Sequence, residues 1–205
     1  MLNSIVRATS FVHHVLKGKI NKNDVVIDAT MGNGNDTVFL AELVGPGGSV
    51  FAFDIQQIAV DRTLKKLVDN GLDDHNIRLI NDGHENIESY STGAIDAAMF
   101  NLGYLPQGDR SIITKPGSTI KGIKSVLKLL KPGGIISIIM YYGHEGGMDE
   151  KQQVSDFVKG LPNKDFVVMN CYYANQGNNP PIIIFIEKMK KDSCFQSECY
   201  KNNGF

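Results

Sequence analysis

The sequence predicts an α/β fold: a mostly parallel, seven-stranded sheet with one antiparallel strand and helices on both faces. Three observations carry this prediction. Apolar runs of strand length alternate with segments of helical period along residues 25–159. Those runs end in glycine turns or polar residues, as at Gly32-Asn33-Gly34 and Asn81-Asp82-Gly83-His84. The last two runs, 166–173 and 182–187, have no helix between them, so one of the two must run antiparallel.

Taken in order, residues 4–16 carry Ile5, Ala8, Val12, Val15 and Leu16 at helical spacing, a helix for the edge or lid of the domain. Strand 25–29 leads through the Gly32-x-Gly34 turn to helix 36–43. Gly45-Pro46-Gly47-Gly48 turns the chain into strand 50–54, and helix 58–70 follows with Ala59, Leu64, Leu67 and Val68 along it. Strand 77–80 and strand 95–100 come next. A loop with Gly108, Pro116 and Gly117 precedes helix 119–130, whose apolar face is Ile123, Val126, Leu127 and Leu130. Lys131-Pro132-Gly133-Gly134 stops that helix, since proline lacks a donor and glycine accepts the cap conformation. Strand 135–140 and helix 151–159 complete the alternation. At 205 residues one domain is expected, over 1–188, with 189–205 a polar, flexible tail.

Composition removes several classes. With 21 basic and 22 acidic residues, the global charge gives no sign of a polyanionic partner. Cys171, Cys194 and Cys199 are odd in number and lack metal-type spacing, which fits a reducing compartment and no metal site. The first 19 residues hold Arg7, His13 and His14 and lack the apolar core of a signal peptide. No apolar run reaches membrane-spanning length, so a cytoplasmic protein without a membrane partner is expected.

In such a sheet, ligands sit beyond the carboxyl ends of the strands. Asp28, Asp54, Asp82, Asn101 and Tyr141/Tyr142 all fall there. Gly32 and Gly34 let the backbone turn sharply and approach a ligand, and the helix start that follows (Asn35, Asp36, Thr37) offers free N–H groups. Asp54, one strand later, can accept both hydroxyls of a ribose. Together these point to a nucleoside-containing cofactor. Thr37 stands where a dinucleotide fingerprint needs its third glycine. A carboxylate at Asp28 would repel a pyrophosphate but suits a cationic amino-acid tail, which selects S-adenosylmethionine. His84, after the third strand, is read as lining the cofactor pocket beside Asp82.

The chemistry is expected in two loops. In Asn101-Leu102-Gly103-Tyr104-Leu105-Pro106, the Asn101 oxygen can accept from an amine and aim its lone pair, and Tyr104 can pack over the acceptor plane. In Tyr141-Tyr142-Gly143-His144-Glu145-Gly146-Gly147, imidazole is the side chain whose ordinary titration range suits a base near neutrality. Tyr142 is a second candidate, as orienting donor or stacking surface, and Glu145 could pair with an ammonium. Arg110 and Lys115 lie just after the first loop and are read as phosphate contacts. Lys121, Lys124, Lys128 and Lys131 fit a solvated helix face, and 175–181 is a candidate lid or RNA-reading loop.

These motifs have a family match. The run from Asp28 to Thr37, Phe53-Asp54-Ile55-Gln56, Asn101 to Pro106 with Gly108-Asp109, and Tyr141 to Gly147 stand in order. The sequence resembles the bacterial tRNA (5-(aminomethyl)-2-thiouridine) methyltransferases, long labelled putative rRNA methylases, over residues 1–188. The resemblance implies a Rossmann-like class I methyltransferase fold, S-adenosylmethionine as cofactor, and methylation of the aminomethyl nitrogen on the wobble uridine in the tRNA anticodon region. It implies cofactor contacts from Asn33 and Gln56 as well. Asn101 would hold the amine, and Tyr142 and His144 would orient or deprotonate it. Gln107 departs from the glycine of the family's loop. No cysteine lies in these loops, which argues against ring-carbon methylation through a thiolate. A ribosomal RNA base or small amine as acceptor, and a non-catalytic nucleotide- or RNA-binding protein, stay open as alternatives. So does the choice between monomer and homodimer.

Overall fold

A computed structural model describes residues 5–90, 93–109 and 112–190. Seven strands and five α-helices alternate along them. They are α1 (Ala8–Lys17), β1 (Val25–Asp28), α2 (Asn35–Val44), β2 (Ser49–Phe53), α3 (Gln57–Asp69) and β3 (Ile77–Ile80). A 3-10 helical segment (His84–Ser89) leads to β4 (Ile95–Leu102), α4 (Pro116–Leu129), β5 (Leu130–Met140), α5 (Gly147–Lys159), β6 (Phe166–Cys171) and β7 (Ile182–Lys188).

The strand order is β3-β2-β1-β4-β5-β7-β6. β1 pairs in parallel with both β2 and β4, and only β7 runs antiparallel, against β5 and β6 alike. The expected seven-stranded, mostly parallel sheet is therefore found, with β7 as the antiparallel strand. The chain winds from β1 out to β3, then returns to lay β4 on the other side of β1. That reversal opens a crevice beyond the carboxyl ends of β1 and β4.

Both faces of the sheet are covered, which is why its strands read as continuous apolar runs and not as alternating ones. On β1, Val26 joins a layer with Val12, Leu16, Leu40, Met99 and Phe185, while Ile27 joins the opposite layer with Phe53, Phe100, Ile123, Val126 and Ile138. Each fully buried aliphatic side chain contributes about 1.5–3 kcal/mol by leaving water.

Local chemistry sets the boundaries. Helix α1 begins only at Ala8 because Arg7 is extended (φ −102°, ψ 114°). Helix α4 starts one turn earlier than its apolar period suggested, with Pro116 at a position where a missing N–H costs nothing. The helix stops at Leu129, with Leu130 already extended (φ −64°, ψ 128°), before the expected stop at Lys131-Pro132-Gly133-Gly134; these residues belong to β5, where the register against β4 shifts between Ile95 and Ala97. Among the described residues no helix is long and apolar enough to cross a membrane.

Candidate active site

The loop after β1 is drawn over the ends of its neighbours by backbone bonds that continue the sheet. Ala29 N–H donates to Met99 O, and Met31 N–H donates to Phe53 O, both at 2.8 Å. The turn that follows needs glycine. Gly34 has φ 75°, and a Cβ there would stand 2.6 Å from Thr63 Oγ1 on α3. Asp54, just past β2, is locked to this turn. Its Oδ2 accepts from Gly32 N–H and its Oδ1 from Gln56 N–H, each at 2.9 Å. Burial raises its pKa above the ordinary carboxylate value, and these two donors oppose the rise.

Here a cleft of ≈ 1250 Å³ opens. Drug-sized ligand sites run to roughly 1,000 Å³, so it has space for a nucleoside cofactor and a second ring. Gly32, Asn33, Asn35, Asp36, Asp54, Gln56, Asp82 and His84 line it. Asn101, Tyr104, Lys115 and His144 line it as well. Thus most of the residues singled out in the sequence share one cavity.

Others do not reach it. Asp28 has no exposed surface. Its carboxylate accepts from Thr37 Oγ1 at 2.7 Å and from Thr30 N–H at 3.2 Å, so it braces the turn from behind. Burial first, and the nearby Asp36 charge second, push Asp28 up to about 7. Gly34 and Thr37 also lie off the cleft wall. Tyr142 turns away, and its ring lies 4.1 Å from Lys151 Nζ on α5. Its neighbour Tyr141 lines the cleft instead, because successive side chains of extended chain point to opposite sides. Arg110 lies outside the described residues.

Three polar side chains in the cleft, His84, Asn101 and His144, keep a buried atom with no partner among the described residues. Asp82 is held by Asn86 Nδ2, Tyr90 OH and Gly83 N–H, and these bonds keep its carboxyl below the usual range. His84 is buried, and its Nδ1 donates to Ala29 O at 3.2 Å. Its Nε2 therefore carries a lone pair, with no partner among the described residues. Burial lowers its pKa and keeps it neutral. Asn101 is fixed twice, by N–H to Thr30 Oγ1 at 2.7 Å and by Nδ2 to Asp36 Oδ2 at 2.5 Å. Its Oδ1 is buried and has no partner among the described residues. His144 Nδ1 donates to Glu145 O at 2.9 Å, which leaves Nε2 as a bare acceptor, also without a partner. A Cβ on Gly103 would stand 3.9 Å from that Nε2, so the imidazole sits against the loop that carries Asn101. The Tyr104 ring meets His144 edge-on at 6.0 Å.

Supports from distant segments hold this loop, and sequence reasoning did not find them. Thr114 Oγ1 accepts from Gly103 N–H at 3.0 Å and donates to Glu150 Oε2 at 2.7 Å, while Thr119 Oγ1 donates to Glu150 Oε1 at 2.6 Å. Glu150 is a buried carboxylate on α5 with both oxygens occupied. Arg62 of α3 reaches Asn33 Oδ1 and Gln107 O, each at 3.1 Å. Gln107 adopts φ 61°, a left-handed conformation for which glycine is the natural residue. Helix α1 supplies Thr9, Ser10 and His13 to the cleft wall, and Arg7 reaches it from the extended residue just before the helix. The signal for this was a histidine inside an otherwise apolar helical pattern.

The comparisons with known proteins agree with this geometry. The family described as "Putative rRNA methylase" matches residues 50–187. The chain is 38% identical over 194 residues to a protein of Arabidopsis thaliana described as a chloroplastic tRNA (mnm(5)s(2)U34)-methyltransferase, covering 89% of this chain and 69% of that one. It is similar to the structure of a "putative rRNA-methylase" from Clostridium thermocellum, at 47% identity and TM-score 0.88, over 91% of this chain and 100% of that one. It is also similar to a "putative methyltransferase" from Streptococcus mutans solved in complex with SAH, at 44% identity and TM-score 0.82, with the same coverage.

Proposed function

The chain belongs to the "Putative rRNA methylase" family, with the Rossmann-like class I methyltransferase fold, and on that premise we propose that it methylates the exocyclic amine of 5-aminomethyl-2-thiouridine at the tRNA wobble position. One observation carries the reading. Asn101 Oδ1 and His144 Nε2, two acceptors without partners among the described residues, belong to adjoining loops on one cleft. Two bare acceptors suit an acceptor group that brings N–H bonds, and an alkyl ammonium brings three.

The residues present fit S-adenosylmethionine. In this reading Asp54 and Gln56 would meet the ribose, and the positive-φ turn at Gly32–Gly34, with Asn33 and Asn35, would take the amino-acid tail; all but Gly34 line the cleft. The bare His84 Nε2 beside Asp82 can accept from an exocyclic amine such as that of adenine. The cofactor, when bound, supplies an electrophilic sulfonium methyl. Everything else falls to the chain. Asn101 Oδ1 accepts one amine N–H and fixes the nitrogen. His144 Nε2 takes the ammonium proton and frees the lone pair for attack. Tyr104, 45% exposed at the mouth, offers a face for the base. Lys115 at the rim suits a phosphate, as does Arg110 beyond the described residues. Tyr142 has no part in this reading, its ring being engaged by Lys151.

The name of the Arabidopsis relative, with its 38% identity, supports the choice of tRNA and of the wobble position. The reading takes 1–188 as one catalytic unit that meets the anticodon region in the cytoplasm, and a homodimer remains compatible with it. The test is methyl transfer from labelled S-adenosylmethionine to two tRNA pools. One carries 5-aminomethyl-2-thiouridine and the other is fully modified, and nucleoside mass analysis is applied to both. Methylation of the aminomethyl group in the first pool only, lost in Asn101→Ala with cofactor binding kept, is expected. Transfer to ribosomal RNA alone would refute the choice of substrate.

A further inference from the structure

Asn101 can act as an acceptor only if its amide is turned the right way. The two ends of an amide have nearly the same shape and differ in hydrogen bonding alone. Something must therefore hold Nδ2 away from the acceptor amine and leave Oδ1 facing it. Asp36 does this: its carboxyl oxygen Oδ2 accepts from Asn101 Nδ2 at 2.5 Å. The flipped amide would set oxygen against oxygen at the same place.

Asp36 is in turn held from the far side. His13 Nε2 on α1 donates to Asp36 Oδ1 at 2.6 Å. The His13 ring lies flat on Phe39, with centroids 3.7 Å apart and planes 3° off parallel. Phe39 stands three residues after Asp36 on α2, so one helix presents both the carboxylate and the platform. Only 8% of the Asp36 side chain is exposed, and its two oxygens are taken by α1 and β4. From sequence, Asp36 was expected to touch the cofactor; these contacts give it another task.

We propose that His13 and Asp36 form a positioning pair that sets the orientation of the Asn101 amide, so that Oδ1 is presented to the acceptor amine. The inference rests on the methyl-transfer reading above. It gives α1 a task in the reaction, although the proposed acid–base group is on another loop. His13 and Asp36 act through Asn101 and are positioning residues.

The test uses the full chain and two independent measurements. The first is the side-chain amide signal of Asn101 in a nitrogen–proton correlation spectrum without cofactor, assigned by its loss in Asn101→Asp. The wild type should show a displaced, well-separated proton pair, and His13→Ala and Asp36→Ala should return it to the ordinary amide region. The second is steady-state methyl transfer to aminomethylated tRNA together with cofactor affinity by calorimetry. Asp36→Ala should lower kcat by about 10- to 100-fold, the value of a charge-assisted hydrogen bond, with cofactor Kd changed by less than about twofold. His13→Gln, which still offers an N–H, should keep kcat within about threefold of wild type, whereas His13→Ala should lose about tenfold. Unchanged Asn101 signals in both alanine variants would overturn the proposal. So would a loss of cofactor affinity that matches the loss of kcat, which would make Asp36 a cofactor ligand. If the wild type transfers no methyl to tRNA, the functional reading fails, and the amide signals still decide whether the pair orients Asn101.

Discussion

Replacing Asp28 by Asn should stabilise the protein at neutral pH and leave it unchanged in acid. Asp28 has no exposed surface and keeps its proton up to about 7, against an ordinary 3.8 for an unfolded chain. The folded state therefore binds a proton that the unfolded state releases. The stability this group contributes is complete below 3.8 and is lost as pH rises through about 7. At about 1.4 kcal/mol per pH unit, the loss totals ~4 kcal/mol. Asn has the shape of the protonated side chain and cannot ionise, so it avoids this loss. Asn can keep both contacts as the protonated acid does, its amide oxygen accepting from Thr30 N–H and its Nδ2 donating to Thr37 Oγ1. The variant should gain about 4 kcal/mol near pH 8 and nearly nothing near pH 4. Urea denaturation followed by circular dichroism across that range measures the difference. Taking variant minus wild type cancels groups such as Asp82, whose lowered carboxyl gives the opposite slope. A difference that stays flat with pH would refute the argument.

Three further outcomes follow from named contacts. His144→Gln should slow methyl transfer most near neutrality and recover toward alkaline pH, where the amine loses its proton unaided; a uniform loss at every pH would remove His144 as the base. Thr63 Oγ1 is buried with no partner among the described residues, so Thr63→Val should raise stability by about 1 kcal/mol in the same denaturation assay. Gly122 lets α4 approach the 3-10 segment, and a Cβ there would lie 2.8 Å from His84 Cδ2 and 3.0 Å from His84 O. Gly122→Ala should cost about 1–3 kcal/mol and weaken cofactor binding with it, read by thermal melting and calorimetry.

The features that could be read from the sequence are local ones. Strand and helix periods, the glycine turn at Gly32–Gly34 and the polar ends of β1, β2 and β4 each depend on a few adjacent residues. They located the cleft, because in a sheet of this kind the carboxyl ends of the strands form the site. Asp54 and Asn101 could be named in advance for the same reason. The fate of Asp28 could not. It was expected to face the cofactor, and it is buried behind Thr37 and Thr30. Tyr141 and Tyr142 are neighbours in the same loop, and the direction of β5 decides that the first lines the cleft while the second meets Lys151.

What the sequence determined by itself is thus the alternation of elements, the end of the sheet where the cleft opens and the kinds of group around it. Tertiary structure alone decided which of those groups line the cleft. It made β7 the antiparallel strand. It brought His13 of α1 to Asp36, Glu150 of α5 to Thr114, and Arg62 of α3 to Gln107, pairs separated by 23, 36 and 45 residues. Backbone periodicity and turn chemistry act over a few residues, whereas a hydrogen bond between side chains depends on how the sheet orders and twists its strands. No local pattern contains that information.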